Sequence, residues 1–181
     1  MLNHQGTQIL TTPRLTLRPF TSDDAPAMFR NWASDPEVTR FLTWPTHTSV
    51  EISAWVCSDW VSHYIEPDYY QWAIVYDSQP IGSIAVVNHD DKVAKAEIGY
   101  CIGQCWWHKG IVTEALQAVM SFLFDKVGYQ RIEARHDARN PHSGGVMKKC
   151  GMKYEGTLRQ SDWNNQGVCD ACWYALLKTE R

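Results

Sequence analysis

From Arg14 to Phe20 apolar and polar residues alternate, Leu15 and Leu17 against Thr16 and Arg18. That is the period-two pattern of a half-buried strand, ending at Pro19. Thr21-Ser22-Asp23-Asp24 offers capping chemistry and early carboxylates to a helix running to about Ala33, which Ser34-Asp35-Pro36-Glu37 breaks. Thr48-Ser49-Val50-Glu51 reads as a capping box opening a second helix, with Ile52, Trp55, Val56 and Trp60 directed toward Tyr64 and Pro67 closing it. Strands are predicted at 71–76, 81–88 and 94–102, joined by the turn sequences Asp77-Ser78-Gln79-Pro80 and Asn88-His89-Asp90-Asp91. Val112, Leu116, Val119, Met120, Leu123 and Val127 then recur at helical spacing before Gly128. Residues 131–137 alternate again, with Ile132, Ala134 and His136 on one face. Residues 140–150 read as a helix with Gly151 as its left-handed cap, and 152–158 and 168–177 as a hairpin around Asn164-Asn165-Gln166-Gly167.

This order, β-α-α-β-β-β-α-β-α-β-β, predicts a mixed α/β (α+β) fold. Its sheet has about seven mostly antiparallel strands, a βαβ crossover and helices on both faces. A ligand belongs where the 96–102 and 131–137 strands part at their carboxyl ends. Directly after the first of these comes Trp107-His108-Lys109-Gly110-Ile111-Val112-Thr113-Glu114, a glycine-bearing loop that opens a helix. The first amides of a helix lack internal partners and carry the positive end of its dipole, so such a loop suits a phosphate. An ordinary strand-to-helix turn is the alternative. The chain contains no G-x-G-x-x-G and no G-x-x-x-x-G-K-[ST].

With 181 residues, no internal repeat and no linker-like stretch, the chain is expected to be one domain over 1–181. Hydrophobic content of 44%, charged content of 20% and a net charge of −3 give no bulk electrostatic reason for nucleic acid binding. No run of about 18 apolar residues and no signal-like start stand in the sequence, so a cytoplasmic protein away from membranes is the expectation. Six cysteines are then expected as free thiols. Cys169 and Cys172 form the one C-x-x-C, but on a strand residues three apart point to opposite faces, which disfavours a metal or redox pair. Several of the nine tryptophans lie near element ends, where an amphipathic ring can line a cleft.

Five motifs stand in order along almost the whole chain: Thr12-Pro13-Arg14-Leu15-Thr16-Leu17-Arg18, Asp35-Pro36-Glu37-Val38, Glu97-Ile98-Gly99-Tyr100, Lys109-Gly110-Ile111-Val112-Thr113-Glu114-Ala115, and Asn140 with Ser143 ahead of Lys149-Cys150-Gly151-Met152-Lys153-Tyr154-Glu155-Gly156. Together they resemble the GNAT superfamily of acyl-CoA-dependent N-acetyltransferases. The resemblance is to its RimJ/RimL-like subgroup, which includes enzymes acting on ribosomal-protein N-termini. It implies acetyl-CoA as co-substrate, no metal, and a cofactor site formed by Trp107, His108, Lys109, Gly110, Ile111, Val112 and Thr113 for the pyrophosphate. Main-chain groups of Tyr100, Cys101 and Ile102 would hold the pantetheine arm like an added strand. Two positions depart from the family's Q/R-x-x-G-x-G/A pattern, Trp107 and Val112, and the valine's β-branch would crowd the loop.

Acetyl transfer to an amine needs a neutral nucleophile, donors for the oxyanion and a proton or hydrogen bond for the leaving thiolate. Glu97 is the candidate general base, acting through water; a solvated strand face is its structural alternative. Asp35, Glu37 and His136 are further candidates. By the resemblance Ser143 reaches the CoA sulfur and Asn140 the pantetheine amide, with N-capping as their structural alternative. Met147 stands where many relatives carry a tyrosine. Lys149 could meet a CoA phosphate or face water. Trp44, Tyr69, Tyr70, Trp72 and Trp163 are candidates for the acceptor pocket. The expected function is acetylation of a primary amine, a protein N-terminal α-amine by preference. A small-molecule amine and a non-catalytic acyl-CoA-binding protein are the alternatives. A homodimer is common in the family.

Overall fold

In the computed structural model, which describes residues 2–181, the first alternating segment becomes β2 (Leu15–Arg18), preceded by a two-residue β1 (Leu10–Thr11). α1 (Ala25–Met28) continues through a π-helical turn at Phe29–Ala33. α2 (Pro36–Thr39) starts at a proline and is capped by Asp35, whose Oδ1 accepts from the Glu37 amide at 2.9 Å. α3 (Val50–His63) begins one residue later than a capping box at Thr48 requires, with Ser49 at the N-cap and no side-chain cap bond.

β3 (Gln71–Tyr76), β4 (Gln79–Asp90) and β5 (Lys95–Ile102) form a meander. Its first turn is only Asp77-Ser78, both at positive φ, so Gln79 and Pro80 belong to β4. The second turn lies at Asp91 to Ala94, beyond the predicted one, because Asn88-His89-Asp90 pair with Glu97, Ala96 and Lys95 after a bulge at Val87. α4 (Ile111–Phe122) is prolonged by a π-helical turn at Leu123–Val127 and ends at Gly128 (φ 98°). Then come β6 (Arg131–Asp137), α5 (Pro141–Lys149), β7 (Lys153–Asn164) and β8 (Gly167–Leu177). β7 runs six residues past the expected end, and its irregular, solvent-exposed course hides it from pattern reading.

The eight strands lie in the order β1-β2-β3-β4-β5-β6-β8-β7, all neighbours antiparallel except β5 and β6. One core, with Leu17, Trp72, Ile98, Leu116, Leu123 and Ile132, lies between the sheet and α4. A second, with Phe20, Met28, Trp32, Cys57 and Ala73, joins α1 and α3 to the other face. Among the described residues no helix is long and apolar enough to cross a membrane.

The parallel pair decides where the site is. β5 and β6 are in register at only three positions, Lys95 with Arg131, Ala96 with Ile132 and Glu97 with Glu133. Beyond Glu97, β5 stays with β4 and β6 stays with β8, so the sheet opens between them. The Val87 bulge lies opposite Ile98 and Glu97, at the residue where the strands part. A bulge raises local twist there.

Candidate active site

The opening is a cavity of about 1020 Å³ reached from both faces of the sheet. Alternation along β5 sends Glu97 and Cys101 toward the α1–α3 side and Ile98, Tyr100 and Ile102 toward the α4 side. The gap is the one place where chemistry from the two faces can meet.

On the α4 side the chain turns sharply after β5. The Trp107 indole Nε1 donates to the Ile102 carbonyl (2.9 Å), which occupies one of the main-chain groups expected to face the pantetheine arm. His108 (φ 60°) and Gly110 (φ 73°) both adopt left-handed backbone, at little cost for Gly110. Gly110 is the N-cap of α4, and having no side chain it leaves the helix start uncapped. The first internal bond runs from the Glu114 amide to the Gly110 carbonyl (3.1 Å), so the amides of Ile111, Val112 and Thr113 are free to bind an anion. These residues fit a phosphate-bearing cofactor. Val112 packs into the core at 9% exposure, so its β-branch is accommodated. Lys109 alone among residues 107–113 is absent from the cavity wall.

Across the groove stands the first turn of α5. The Ser143 Oγ lies 3.0 Å from the Tyr100 hydroxyl, which is also 3.0 Å from the Ser143 carbonyl. Burial pushes the Tyr100 phenol well above its ordinary range, against the Ser143 hydrogen bond, so it stays protonated. Asn140 is the N-cap residue, yet its side chain makes no capping bond. The capping alternative for this pair is therefore not what the structure has. A Cβ on Gly144 would stand 2.5 Å from the His136 Nε2, which explains the glycine inside a helix. Met147 is 1% exposed in the core and off the cavity wall. Lys149 lines the cavity and is exposed.

On the other face Glu97 is 5% exposed. Its Oε1 accepts from Arg135 Nη1, and Arg135 Nε donates to Asp162 Oδ2 (2.6 Å). The Arg135 guanidinium also lies over the Trp173 ring at 5.3 Å. One arginine thus joins β5, β6 and β7 below the opening. Glu97 is not a solvated surface residue. Glu37, Trp44, Asp162 and Trp163 line this side, Trp163 at the rim with 59% exposure. Asp35 serves as the α2 cap, and His136 donates Nδ1–H to the Asp137 carbonyl (2.8 Å). Among the described residues no group of three or more His, Cys, Asp or Glu could hold a metal. Cys169 accepts from Asn164, whereas Cys172 lies against Thr157.

Tyr70 and Trp72 do not reach the acceptor side. They are 1% and 0% exposed, stack on each other and meet Phe122 edge-on in the α4-side core. The Tyr70 hydroxyl pairs with His4, and the Trp72 indole donates to the Gln8 carbonyl. Tyr69 packs against His63 and Tyr64, off the cavity wall.

The sequence matches the acetyltransferase (GNAT) domain family over residues 14–153. The chain belongs to the GNAT acetyltransferases. It is 33% identical over 172 residues to YoaA of Bacillus subtilis (strain 168), named an uncharacterized N-acetyltransferase, covering 94% of this chain and 97% of that one. Over 104 residues it is 28% identical to the ribosomal-protein-serine acetyltransferase of Escherichia coli (strain K12), 58% of each chain. In fold it is similar to RimL, a ribosomal L7/L12 alpha-N-protein acetyltransferase solved with coenzyme A. The TM-score is 0.85 at 20% identity, over 94% of this chain and 98% of that one.

Sequence reading of this GNAT enzyme missed Arg135, Asp137, Arg139 and Asp162. The available signal was the charged face of β6, where Arg131, Glu133, Arg135 and Asp137 alternate with Ile132, Ala134 and His136. Asp137 lines the cavity and accepts from Asn164 Nδ2 (2.7 Å) and from Arg139 through its amide (2.8 Å) and Nη2 (2.6 Å). Burial raises its pKa, but the Arg139 and Asn164 hydrogen bonds outweigh that and hold it well below the ordinary value. The stability it contributes is present above about pH 4, the unfolded value, and is lost as pH falls toward the depressed folded value. Asp137→Asn is therefore expected to lower the melting temperature near neutral pH and to flatten the fall in acid, in thermal melts between about pH 2 and pH 6.

Proposed function

We propose that this acetyltransferase moves an acetyl group from acetyl-CoA to a primary amine by direct attack within a ternary complex, and that the acceptor is a protein N-terminal α-amine. The observation that carries the reading is the parting of β5 and β6 beside an uncapped helix start, which gives one cavity an anion-binding end and a carboxylate-bearing end. The amides of Ile111 to Thr113 would hold the pyrophosphate, and the free edge of β5 past Glu97 the pantetheine arm. Acetyl-CoA supplies an acyl thioester. Ser143, whose Oγ lies 3.0 Å from the Tyr100 hydroxyl, would give a hydrogen bond to the departing thiolate, with Asn140 beside it. Glu97 takes the ammonium proton, directly or through water; Arg135 holds its Oε1, while Oε2 takes no hydrogen bond among the described residues. The exposed Trp163 rim leaves the acceptor end open, which favours an amine carried on an extended chain over a small molecule enclosed on all sides.

The test is acetyl-CoA consumption against N-terminal peptides and small amines, with CoA binding followed in parallel. Turnover of peptides alone supports the proposal, and turnover confined to small amines replaces the acceptor. Tight CoA binding without turnover on any acceptor points to a binding protein, and absence of CoA binding overturns the reading.

A further inference from the structure

Two of the sequence motifs, Thr12 to Arg18 and Lys109 to Ala115, have no contact in common with the reacting groups, yet they meet at the start of α4. Glu114 Oε1 accepts from the Thr12 hydroxyl (2.6 Å) and the Arg14 amide (3.0 Å), and its Oε2 accepts from Arg14 Nε (2.6 Å). Arg14 Nη1 donates in turn to the Lys109 carbonyl (3.0 Å). The remaining nitrogen, Nη2, makes no hydrogen bond among the described residues and is the atom nearest to the open side of Gly110, 3.7 Å from where a Cβ would stand.

We propose that Arg14 is a positioning residue for the anion loop, and that it acts on phosphate binding and not on acyl transfer. Two physical effects support this. Arg14 pins the carbonyl just before Gly110, so it fixes the peptide whose left-handed turn aims the Ile111 to Thr113 amides. It also neutralises Glu114, an acid in the same first turn, whose charge would otherwise repel a bound phosphate. A plain stabilising role accounts poorly for the arrangement. The Arg14 side chain is 43% exposed against 17% for Glu114, and water at the arginine end screens the pair and limits what it adds to folding. Three donors converging on one carboxylate beside an uncapped helix start make sense if the loop must be held ready before the anion arrives.

The inference rests on the cofactor reading above, and the test separates the two. Arg14→Gln is compared with the unaltered protein for CoA affinity by calorimetry, for melting temperature, and for turnover with acetyl-CoA and with S-acetylpantetheine, which lacks the pyrophosphate. The expected result is a rise of about tenfold in the CoA Kd and in the KM for acetyl-CoA, the scale of one lost charge-assisted, preorganising contact. The kcat at saturating acetyl-CoA, the acceptor KM and kcat/KM with S-acetylpantetheine stay unchanged. An unchanged CoA Kd overturns the inference alone, as does an equal loss with both acyl donors, which marks a general structural defect. If the unaltered protein binds no CoA, the cofactor reading fails and this one with it.

Discussion

Arg135→Met is expected to lower the melting temperature by about 8 °C, more than the double variant Arg135→Met/Glu97→Gln does. Removing the guanidinium leaves the Glu97 carboxylate, 5% exposed, without its counter-charge, and leaves Asp162 with none from this side chain. Breaking a buried pair by deleting one partner costs several kcal/mol because the other charge stays desolvated. Arg135 is itself 30% exposed and Asp162 22%, so water relieves part of the loss, and about 2–3 kcal/mol is the appropriate scale. For a chain of 181 residues each kcal/mol shifts the midpoint by about 2–4 °C. Glutamine at 97 needs no counter-charge, so the double variant recovers at least half of the shift. Calorimetric melts of wild type, both single variants and the double decide the matter. A double variant as unstable as the single would mean that Arg135 matters through its packing on Trp173 and not through Glu97.

The contrast between Glu97 and Arg135 shows how far a sequence of this kind can be read. Glu97 was visible because it sits on a strand with clear alternation, next to a loop whose chemistry is local. Its partner is 38 residues away, and the pairing depends on a parallel register three residues long that no local pattern encodes. The helix start at Gly110 was legible for the opposite reason, since a glycine, a strand end and a helix onset lie within a few residues. Tyr70 and Trp72 mark the limit. Alternation says that they share a face, but helices cover both faces and Gln71 to Ile74 are all buried, so the pattern cannot say which face is the α4 side. The early end expected for β4 has a similar cause: Asn88-His89-Asp90 reads as a turn, and only the bulge at Val87 keeps it in register with β5.

Glu97→Gln is expected to reduce kcat/KM for acetyl transfer by about 100-fold near neutral pH, the usual contribution of a positioned general base, with CoA affinity intact. The size of that loss should depend on pH and acceptor in a way that a structural role cannot reproduce. A peptide α-amine titrates near pH 8 and a lysine-like amine near 10.4, so at pH 7 both are mainly protonated and need the base. As pH rises through the amine's own pKa, the acceptor arrives neutral and the loss caused by Glu97→Gln shrinks. For a peptide N-terminus it should be mostly gone by about pH 9, while for a lysine-like amine it should persist. Arg135 remains paired with Asp162 in this variant, so folding is perturbed less than by Arg135→Met and the kinetic effect is separable from stability. A loss that stays the same at every pH and for both amines would assign Glu97 to holding the β5–β6 junction through Arg135, and the proton would then have to leave by another route, with Glu37 and Asp162 the other carboxylates of the acceptor wall.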